Sequence, residues 1–163
     1  MESRLKVKEI KFYKVNDDYG FMSNFAPYPF SDGSKIWPTS EHYFQAQKFL
    51  VPHIQEKIRQ IVSPMDAALE GRNRQNPLRP DWEEVKDEVM LQALRMKFSQ
   101  NPEIAKELLA TGDAILIEHT RNDDYWADGG DGSGKNKLGL LLMQVREELK
   151  NSTLLVLSSS YSI

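Results

Sequence analysis

The spacing of apolar residues predicts a chain that is mainly helical. Apolar positions recur three and four residues apart through most of its central and C-terminal parts, and prolines mark several of the predicted helix starts. The predicted helices span residues 40–50, 52–61, 64–72, 82–99, 102–111 and 137–150. The segment NSTLLVLSSSYSI that follows has no capping or periodic pattern, and we expect a short added strand or a loose end there.

Two segments have the composition of strands. Apolar residues are spaced along residues 7–15 in a β-like pattern, and residues 114–118 form a short β-branched run bounded by polar residues. The aromatic-rich segment 21–37 contains a Ser-Asp-Gly turn, which predicts a loop with a short hairpin. We therefore expect an α+β fold, a mainly helical single domain with a few short strands.

The first predicted helix carries a row of polar side chains on one face. In WPTSEHYFQAQKF, Glu41, Gln45 and Lys48 lie at positions i, i+4 and i+7, within about 60° of one another on a helix. Thr39 or Ser40 is placed to cap the free N–H groups at the helix start. Such a row is ordinarily a solvated face. A carboxylate, an amide and an amine held together can also line a ligand cleft, so both interpretations stay open at this point.

Apolar residues predict how two of the helices pack. Tyr43, Ala46 and Leu50, with Phe49 at their edge, lie opposite the polar row and are expected to dock the first helix on the core. The longest helix has an apolar stripe at helical spacing, which we expect to be core. Its members are Trp82, Val85, Val89, Leu91, Leu94 and Phe98, with Met90 and Met96 filling gaps around them.

A glycine-rich loop precedes the last predicted helix. Its glycines, at positions 129, 130, 132, 134 and 139, allow backbone N–H groups to approach a ligand, and the start of the following helix favours an anion. A phosphate site is the functional interpretation, and a mobile surface loop is the structural alternative. Gly129 to Lys135 has the spacing of a Walker loop, but Asn136 stands where Ser or Thr would bind magnesium, which argues against nucleotide-triphosphate hydrolysis.

Composition narrows the class of protein. With 163 residues the chain is long enough for one globular domain, and the absence of cysteine excludes disulfides and a cysteine nucleophile. The three histidines lack metal-ligand spacing, so we expect no metal site. A net charge of −3 favours a phosphorylated small molecule over a long polyanion as ligand. The sequence shows neither a signal peptide nor a bilayer-spanning segment, so we expect a cytoplasmic protein without a membrane partner.

Two carboxylates are candidates for acid–base chemistry. We expect Glu41 and Asp128 to pair across a cleft, because each lies in a segment that also offers aromatic and amide groups. Cleavage of a glycosidic bond is a task that two carboxylates can divide, since the leaving group must be protonated and the sugar centre stabilised. Glu118, at the end of a predicted strand, is the reserve candidate, and its alternative role is a surface salt bridge.

Aromatic and basic side chains are candidates for ligand binding. Tryptophan is more often a core residue than a ligand contact, but Trp126 lies beside the glycine-rich loop, and there we expect a ligand contact. A basic cluster is either a solvated turn or a grip for phosphate, to which the planar guanidinium is suited. It consists of Arg72, Arg74 and Arg79.

Five segments together resemble the YbiA-like N-glycosidases of the NADAR superfamily. They are FMSNF, WPTSEHYFQAQKF, SPMDAALEGRNR, WEEVKDEVMLQALRMKF and EHTRNDDYWADGGDGSGKNKLG. The resemblance runs from about Ile10 to Leu149 in the family's order. We therefore expect one such domain over residues 1–150 and a C-terminal tail over residues 151–163.

The resemblance implies a reaction and a partner. Proteins of this branch are expected to hydrolyse the N-glycosidic bond of phosphoribosylaminopyrimidine intermediates of riboflavin biosynthesis, releasing ribose 5-phosphate and the base. Two alternatives stay open, namely removal of ADP-ribose from guanine in nucleic acid and a non-catalytic module that binds NAD or ADP-ribose. The implied partner is a small ribosyl phosphate, with nucleic acid only under the first alternative, and the reaction needs no cofactor.

The resemblance also implies site residues. Among the implied residues we expect Glu41, Lys48 and Asp128 to be catalytic, with Glu41 moving protons and Asp128 stabilising or positioning the sugar. Lys48 either counters charge or, because ribosylamines open to imines, forms a transient Schiff base. The expected substrate-binding residues are Asn24, Trp37, Gln45, Trp126 and Asn136, to which the basic cluster adds Arg72 and the glycine-rich loop adds Gly134.

Overall fold

The computed structural model describes the backbone of residues 7–160 and the side chains of residues 7–154. In this part of the chain the fold is α+β and mainly helical, as predicted. The strands are β1 (Glu9–Phe12), β2 (Phe30–Ser31), β3 (Ile36–Trp37) and β4 (Ile115–Glu118). The helices are α1 (Ser40–Ala46), α2 (Pro52–Gln60), α3 (Pro64–Gly71), α4 (Trp82–Gln100), α5 (Pro102–Ala110) and α6 (Lys137–Ser160). A short 3-10 helix covers Gly20–Met22.

The chain forms two compact units. The central unit is Ser23–Pro102, with β2, β3 and α1 to α4. The terminal unit combines the chain up to Met22 with the chain from Glu103 onward, and so contains β1, β4, α6 and nearly all of α5.

The central unit begins with the predicted hairpin. β2 and β3 pair antiparallel, with Phe30 opposite Trp37, and Asp32 accepts hydrogen bonds from the backbone N–H groups of the turn. α1 then starts where the capping pattern predicts, because Thr39 Oγ1 accepts a hydrogen bond from the backbone N–H of His42 at 3.1 Å. Proline occupies the first position of both α2 and α3, as predicted.

α1 ends at Ala46, earlier than predicted. The N–H groups of Lys48 and Phe49 bond the carbonyls of Gln45 and Ala46, which tightens the chain into turns, and Pro52 disfavours helix in the residue before it. The prediction that Leu50 packs on the core is therefore wrong, since its side chain is 63% exposed. Phe49 is fully buried in its place.

The core of the central unit forms between the hairpin and the helices. α1 packs against α2, α3 and α4 around a cluster of buried apolar residues. Trp37, a predicted substrate contact, lies in this cluster, where its indole N–H donates to Asp32 and its ring meets Tyr43 edge to face. The cluster consists of Phe30, Trp37, Ala46, Phe49, Ile54, Ile58, Ala67 and Ala93, with Tyr43 packed against it.

α4 buries four of its six predicted stripe residues, namely Trp82, Leu91, Leu94 and Phe98. Val85 and Val89 are only partly buried, whereas Met90, expected to fill a gap, lies in the core. Lys97, on the same face, is also completely buried, although it was not among the predicted core residues. The buried residues of α4 are Trp82, Met90, Leu91, Ala93, Leu94, Lys97 and Phe98.

The terminal unit is built on a parallel pair of strands. β1 and β4 pair with Ile10 opposite Leu116 and Phe12 opposite Glu118, and α6 packs against β4. Parallel strands must be joined by a long connection, and here α5 and the whole central unit lie between them in sequence. The buried apolar residues of this unit include Ile10, Phe12, Ile104, Leu108, Leu116, Leu138, Leu142 and Val145.

α6 continues to Ser160, well beyond the predicted end near residue 150. The expected short strand or loose end is therefore wrong for residues 151–160, and residues 161–163 of the predicted tail lie outside the described residues. This segment contains neither glycine nor proline to stop a helix, and Thr153 Oγ1 donates back to the Leu149 carbonyl at 3.0 Å. Among the described residues, no helix combines the length and the apolar character that crossing a membrane requires.

Candidate active site

The polar row of α1 is buried. Glu41 is 9% exposed, Gln45 5% and Lys48 8%, so the interpretation as a solvated face is wrong. The three side chains lose their solvent because helices pack around α1 on several sides. Lys48 lies in the turn just after the helix, where its N–H donates to the Gln45 carbonyl at 3.3 Å. Buried polar groups carry a cost in free energy, and groups of this kind commonly belong to a binding or catalytic site.

Gln45 and Glu41 are joined across one turn of the helix. Gln45 Nε2 donates to Glu41 Oε1 at 2.8 Å, which fixes the orientation of both groups. The other amide atom, Gln45 Oε1, is buried and has no hydrogen-bond partner among the described residues. Buried polar atoms are nearly always hydrogen-bonded, so this oxygen points to a donor that a ligand would supply.

The amine of Lys48 lies over two neighbouring aromatic rings. Its Nζ is 5.9 Å from the ring centroids of both Phe44 and Trp82. Burial, reinforced by the positive charge of Arg74, lowers the pKa of Lys48 to about 8, although the Glu41 carboxylate acts in the opposite direction. Roughly a tenth of this amine is therefore neutral at pH 7 and able to act as a nucleophile, far more than for an ordinary lysine.

The predicted basic cluster divides into two parts. Arg79 is structural, because its guanidinium bonds both carboxylate oxygens of Asp81 and its backbone N–H bonds the Lys48 carbonyl at 2.9 Å. Arg72 and Arg74 are exposed, and both act electrostatically on Lys48. Arg72 therefore remains a candidate for binding an anion, whereas Arg79 is engaged in the fold.

Asn24 holds the start of α1. Its backbone carbonyl accepts from the Glu41 N–H at 3.1 Å, and its Oδ1 accepts from the hydroxyl of Ser40 at 2.8 Å. The side-chain Nδ2 lies 3.5 Å from the sulfur of Met90. Asn24 is thus placed next to the polar row, and its contacts in this structure orient the helix.

His42 is structural although it lies beside the row. Its Nε2 faces the Ile61 carbonyl at 2.7 Å and must donate, so Nδ1 accepts from the Thr39 hydroxyl, also at 2.7 Å. Burial lowers the pKa of His42, which favours this neutral form.

Asp128, in the terminal unit, is paired with a histidine. The carboxylate is 4% exposed, and its Oδ2 lies 2.7 Å from Nδ1 of His119, the residue directly after β4. Its Oδ1 accepts from the N–H groups of Gly130 and Thr120. Burial alone would raise the pKa of Asp128, but these hydrogen bonds outweigh it and hold the pKa below its usual range. This pair was not predicted, because nothing in the local sequence links His119 to Asp128.

The glycine-rich loop uses its N–H groups internally. Gly129 and Gly134 donate to the carbonyls of Asp123 and Asp128, at 3.0 and 2.8 Å. The first N–H groups of α6 likewise bond loop carbonyls, as Lys137 donates to Tyr125 and Leu138 to Trp126. These N–H groups already have acceptors within the protein, and the phosphate site expected at this loop stays a prediction.

Asn136 and Trp126 have defined positions in the same loop. Asn136 has a left-handed backbone with φ 51°, and its side chain bonds the Glu118 N–H and the Leu116 carbonyl, which fastens the loop to β4. Trp126 is partly buried and meets the ring of Tyr125 edge to face at 5.0 Å.

The structure brings together part of the predicted site within each unit. Glu41, Gln45, Lys48 and Asn24 are neighbours in the central unit, with Arg72 acting on the same lysine. Trp126, Asp128, Gly134 and Asn136 share one loop of the terminal unit. The pairing of Glu41 with Asp128 joins residues of different units and stays a prediction.

α1 and the turn that follows it bury a carboxylate, an amide and an amine, which is typical of a ligand-binding or catalytic protein. The NADAR domain family matches residues 11–150, and the chain belongs to this family. The matched range includes all the predicted site residues and extends over both units.

Known relatives agree with this membership. The chain is 59% identical over 140 residues to N-glycosidase YbiA of Escherichia coli, covering 86% of this chain and 88% of that protein. It is 43% identical over 150 residues to a riboflavin biosynthesis protein of Vibrio vulnificus, covering 92% of this chain but 41% of that longer protein. The NMR structure of E. coli YbiA superposes with a TM-score of 0.85 at 55% identity, over 92% of this chain and 89% of that one.

Proposed function

We propose that this protein is an N-glycosidase that hydrolyses the bond between nitrogen and C1 of ribose in phosphoribosylaminopyrimidine intermediates of riboflavin biosynthesis. The products are ribose 5-phosphate and the free base. The observation that carries the proposal is the buried set of Glu41, Gln45 and Lys48 with its unpartnered amide oxygen. The names of the relatives, N-glycosidase and riboflavin biosynthesis protein, support the reaction and the substrate class.

Ribose supplies the donor that Gln45 lacks. An unsatisfied buried acceptor costs about 1–3 kcal/mol, and a sugar hydroxyl that donates to Oε1 removes this cost. Because Nε2 of the same amide bonds Glu41, a hydroxyl held by Gln45 lies close to the carboxylate. The amide thus selects a hydroxyl-bearing ligand and places it beside the acid–base group.

Glu41 is the group that transfers protons in this proposal. Its protonated form donates to the leaving nitrogen as the bond to C1 breaks, and the resulting carboxylate then accepts a proton from the attacking water. The hydrogen bond from Gln45 and the backbone bond to Asn24 hold the side chain and the main chain of Glu41 in place for both steps.

Lys48 has two possible roles beside Glu41. As an ammonium, it balances the phosphate or another negative charge of the substrate. As a neutral amine, it attacks C1 of the ring-opened imine and displaces the base amine, giving a Schiff base that water then hydrolyses. The lowered pKa of about 8 is compatible with both roles, because both protonation states are populated near neutral pH.

Borohydride distinguishes the two roles of Lys48. Reduction during turnover converts a Schiff base into a stable secondary amine, so the covalent route predicts a pentose phosphate adduct on Lys48 in a peptide mass spectrum. Product formation without any adduct would exclude that route and leave the charge role. Lys48→Arg is the matched variant, because it keeps the charge and removes the nucleophile.

A direct assay tests the function. Purified protein is incubated with a phosphoribosylaminopyrimidine and, separately, with DNA that carries ADP-ribosylated guanine, and the released sugar is measured. We expect release from the small molecule, and Glu41→Gln protein purified in parallel excludes a contaminating enzyme. Release only from DNA would favour the ADP-ribose alternative. No release from either substrate would overturn the proposal in favour of a binding module.

The residues of the terminal unit enter the proposal through their predicted roles. Asp128 is proposed to position the sugar, and Trp126, Gly134 and Asn136 to contribute to substrate binding. Variants of Asp128 and Trp126 test these roles in the same assay.

A further inference from the structure

Lys97 is completely buried, yet no step of the proposed reaction uses it. Its side chain is 0% exposed, in the last turn of α4. Lysines are almost never fully buried without a partner, because removing an ammonium from water costs free energy. An apolar residue would suit this position better if packing were the only requirement. The exception is also visible in the sequence, because Lys97 lies between Leu94 and Phe98 of the predicted apolar stripe.

The ammonium of Lys97 faces a backbone carbonyl and two aromatic rings. Its Nζ donates to the carbonyl oxygen of Ser23 at 3.0 Å. It lies 5.3 Å from the ring centroid of Phe98 and 6.0 Å from that of Tyr28. The hydrogen bond reaches a residue 74 positions away in sequence, so it fastens a distant segment to α4.

The segment that Lys97 holds is the one on which α1 starts. Asn24 follows Ser23 directly, and its carbonyl and Oδ1 accept from the Glu41 N–H and the Ser40 hydroxyl. Asn24 also contacts the sulfur of Met90, which precedes Lys97 by about two helical turns. α4 therefore holds this pair of residues at two points, and the pair holds the first turn of α1.

We propose that Lys97 is a positioning residue for Glu41, which it reaches through the Ser23 carbonyl and Asn24. The inference rests on the proposed function, because Glu41 transfers the proton in that reaction. Positioning matters for rate, since a displacement of about 1 Å in an active site can cost about 100-fold. The competing explanation is that Lys97 only fastens the loop, as Gln100 and Asn101 do through their bonds to Ser31 and Pro29.

A double-mutant cycle separates positioning from packing. It compares the turnover of wild type, Lys97→Met, Glu41→Gln and the double variant. Lys97→Met keeps the length of the side chain and removes the donor, and we expect kcat to fall about 10- to 100-fold with little change in KM. In a Glu41→Gln background, the same change should have no further effect on kcat, because the group it positions is already inactive. Equal losses in both backgrounds would overturn the proposal. Leu94→Met is the matched control, a volume-conserving change at a buried position of the same helix.

Amide hydrogen exchange tests the same inference without any substrate. In Lys97→Met, the Glu41 amide should exchange at least about tenfold faster, whereas the Ile61 amide, which bonds the Ile58 carbonyl, should keep its rate. Unchanged protection at Glu41 would contradict positioning even if the enzyme were active. If the wild-type protein cleaved neither substrate, the proposed function would fail. Amide exchange at Glu41 would still show whether Lys97 holds that residue in place.

A second variant covers the case in which Lys97→Met does not fold. Lys97→Gln keeps an N–H donor in a shorter side chain, and we expect its kcat and its Glu41 exchange rate to lie closer to wild type than those of Lys97→Met. Loss of folding in both variants would assign Lys97 to the stability of the fold and overturn the proposal.

Discussion

A Cβ atom on Gly71 would lie 1.9 Å from Oε1 of Gln45. Gly71 is the last residue of α3, so the missing side chain at this position makes the space that the Gln45 amide occupies. In that space the amide nitrogen bonds Glu41, and the amide oxygen has no partner among the described residues. The end of one helix thus determines how the polar row of another is arranged.

Gly71→Ala is expected to reduce activity by displacing the Gln45 amide. The new methyl group would also lie 2.7 Å from Cδ of Gln45, so the side chain must rotate and give up its bond to Glu41. Alanine suits a helix better than glycine, so stability should change by no more than about 1 kcal/mol while kcat/KM falls. Urea unfolding and the sugar-release assay measure the two effects.

The double variant Gly71→Ala/Gln45→Ala is the control for this contact. If the methyl group acts through Gln45, the double variant should be no less active than Gln45→Ala alone. Additive losses would show that Gly71 acts by another path.

Glu41→Gln should leave the fold intact and reduce kcat by a factor on the order of 100 to 10000, because the amide cannot donate and accept the proton. The neutral side chain has the same shape and can still accept from Gln45, so the melting temperature should stay close to that of wild type. Glu118→Gln, at the reserve carboxylate, is the matched variant. A wild-type rate in Glu41→Gln together with a large loss in Glu118→Gln would reverse the assignment.

The helices could be predicted because their start signals are local. Thr39 caps α1, and prolines begin α2, α3 and α5, so a few neighbouring residues determine each boundary. The end of α6 was harder, because NSTLLVLSSS carries no stop signal and its polar residues resemble those of a loop.

The burial of the site could not be predicted from spacing. Glu41, Gln45 and Lys48 have the pattern of a solvated face, and only the packing of three other helices around α1 removes them from water. The pair of Asp128 and His119 likewise depends on how a loop folds back on a strand end. Such contacts depend on tertiary structure, and the spacing of residues along the chain does not predict them.

Asp128→Ala should destabilise the protein more than His119→Ala. The first change leaves the N–H groups of Thr120 and Gly130 without their acceptor, at a cost of about 1–3 kcal/mol. The second removes a contact to an imidazole that is 44% exposed, where we expect a loss below about 1 kcal/mol. Urea unfolding of both variants checks the order. Equal losses would mean that the histidine contact carries the stabilising effect.

Arg72→Ala and Arg79→Ala should have different effects. Arg72 is exposed and acts on Lys48, so its loss should raise KM for a phosphorylated substrate and leave stability within about 0.5 kcal/mol. Arg79 bonds Asp81 and the Gln47 carbonyl, so its loss should lower the melting temperature instead. Inorganic phosphate as a competitive inhibitor provides the check. Weaker inhibition of Arg72→Ala than of wild type would support a contact between Arg72 and phosphate. An unchanged inhibition constant would argue against that contact.

The two buried lysines predict that stability rises with pH above neutrality. Burial lowers the pKa of Lys97 to about 7, and burial with the charge of Arg74 lowers that of Lys48 to about 8, from the ordinary value of 10.5 for lysine. Between the folded and the unfolded pKa the unfolded chain binds more protons, so raising the pH in that window favours the folded state. The penalty is fully present below about pH 7 and is gone above about pH 10.5.

Lys97→Met should remove the Lys97 part of this pH dependence. Its free energy of unfolding should exceed that of wild type most at pH 6 to 7, and the difference should shrink towards pH 10, as measured by urea unfolding across the range. Leu94→Met, which titrates nothing, should follow the wild-type curve. If the free energies of unfolding of wild type and Lys97→Met run parallel from pH 6 to 10, burial does not lower the pKa of Lys97. The same result would show that the cost inferred for this lysine is offset within the fold.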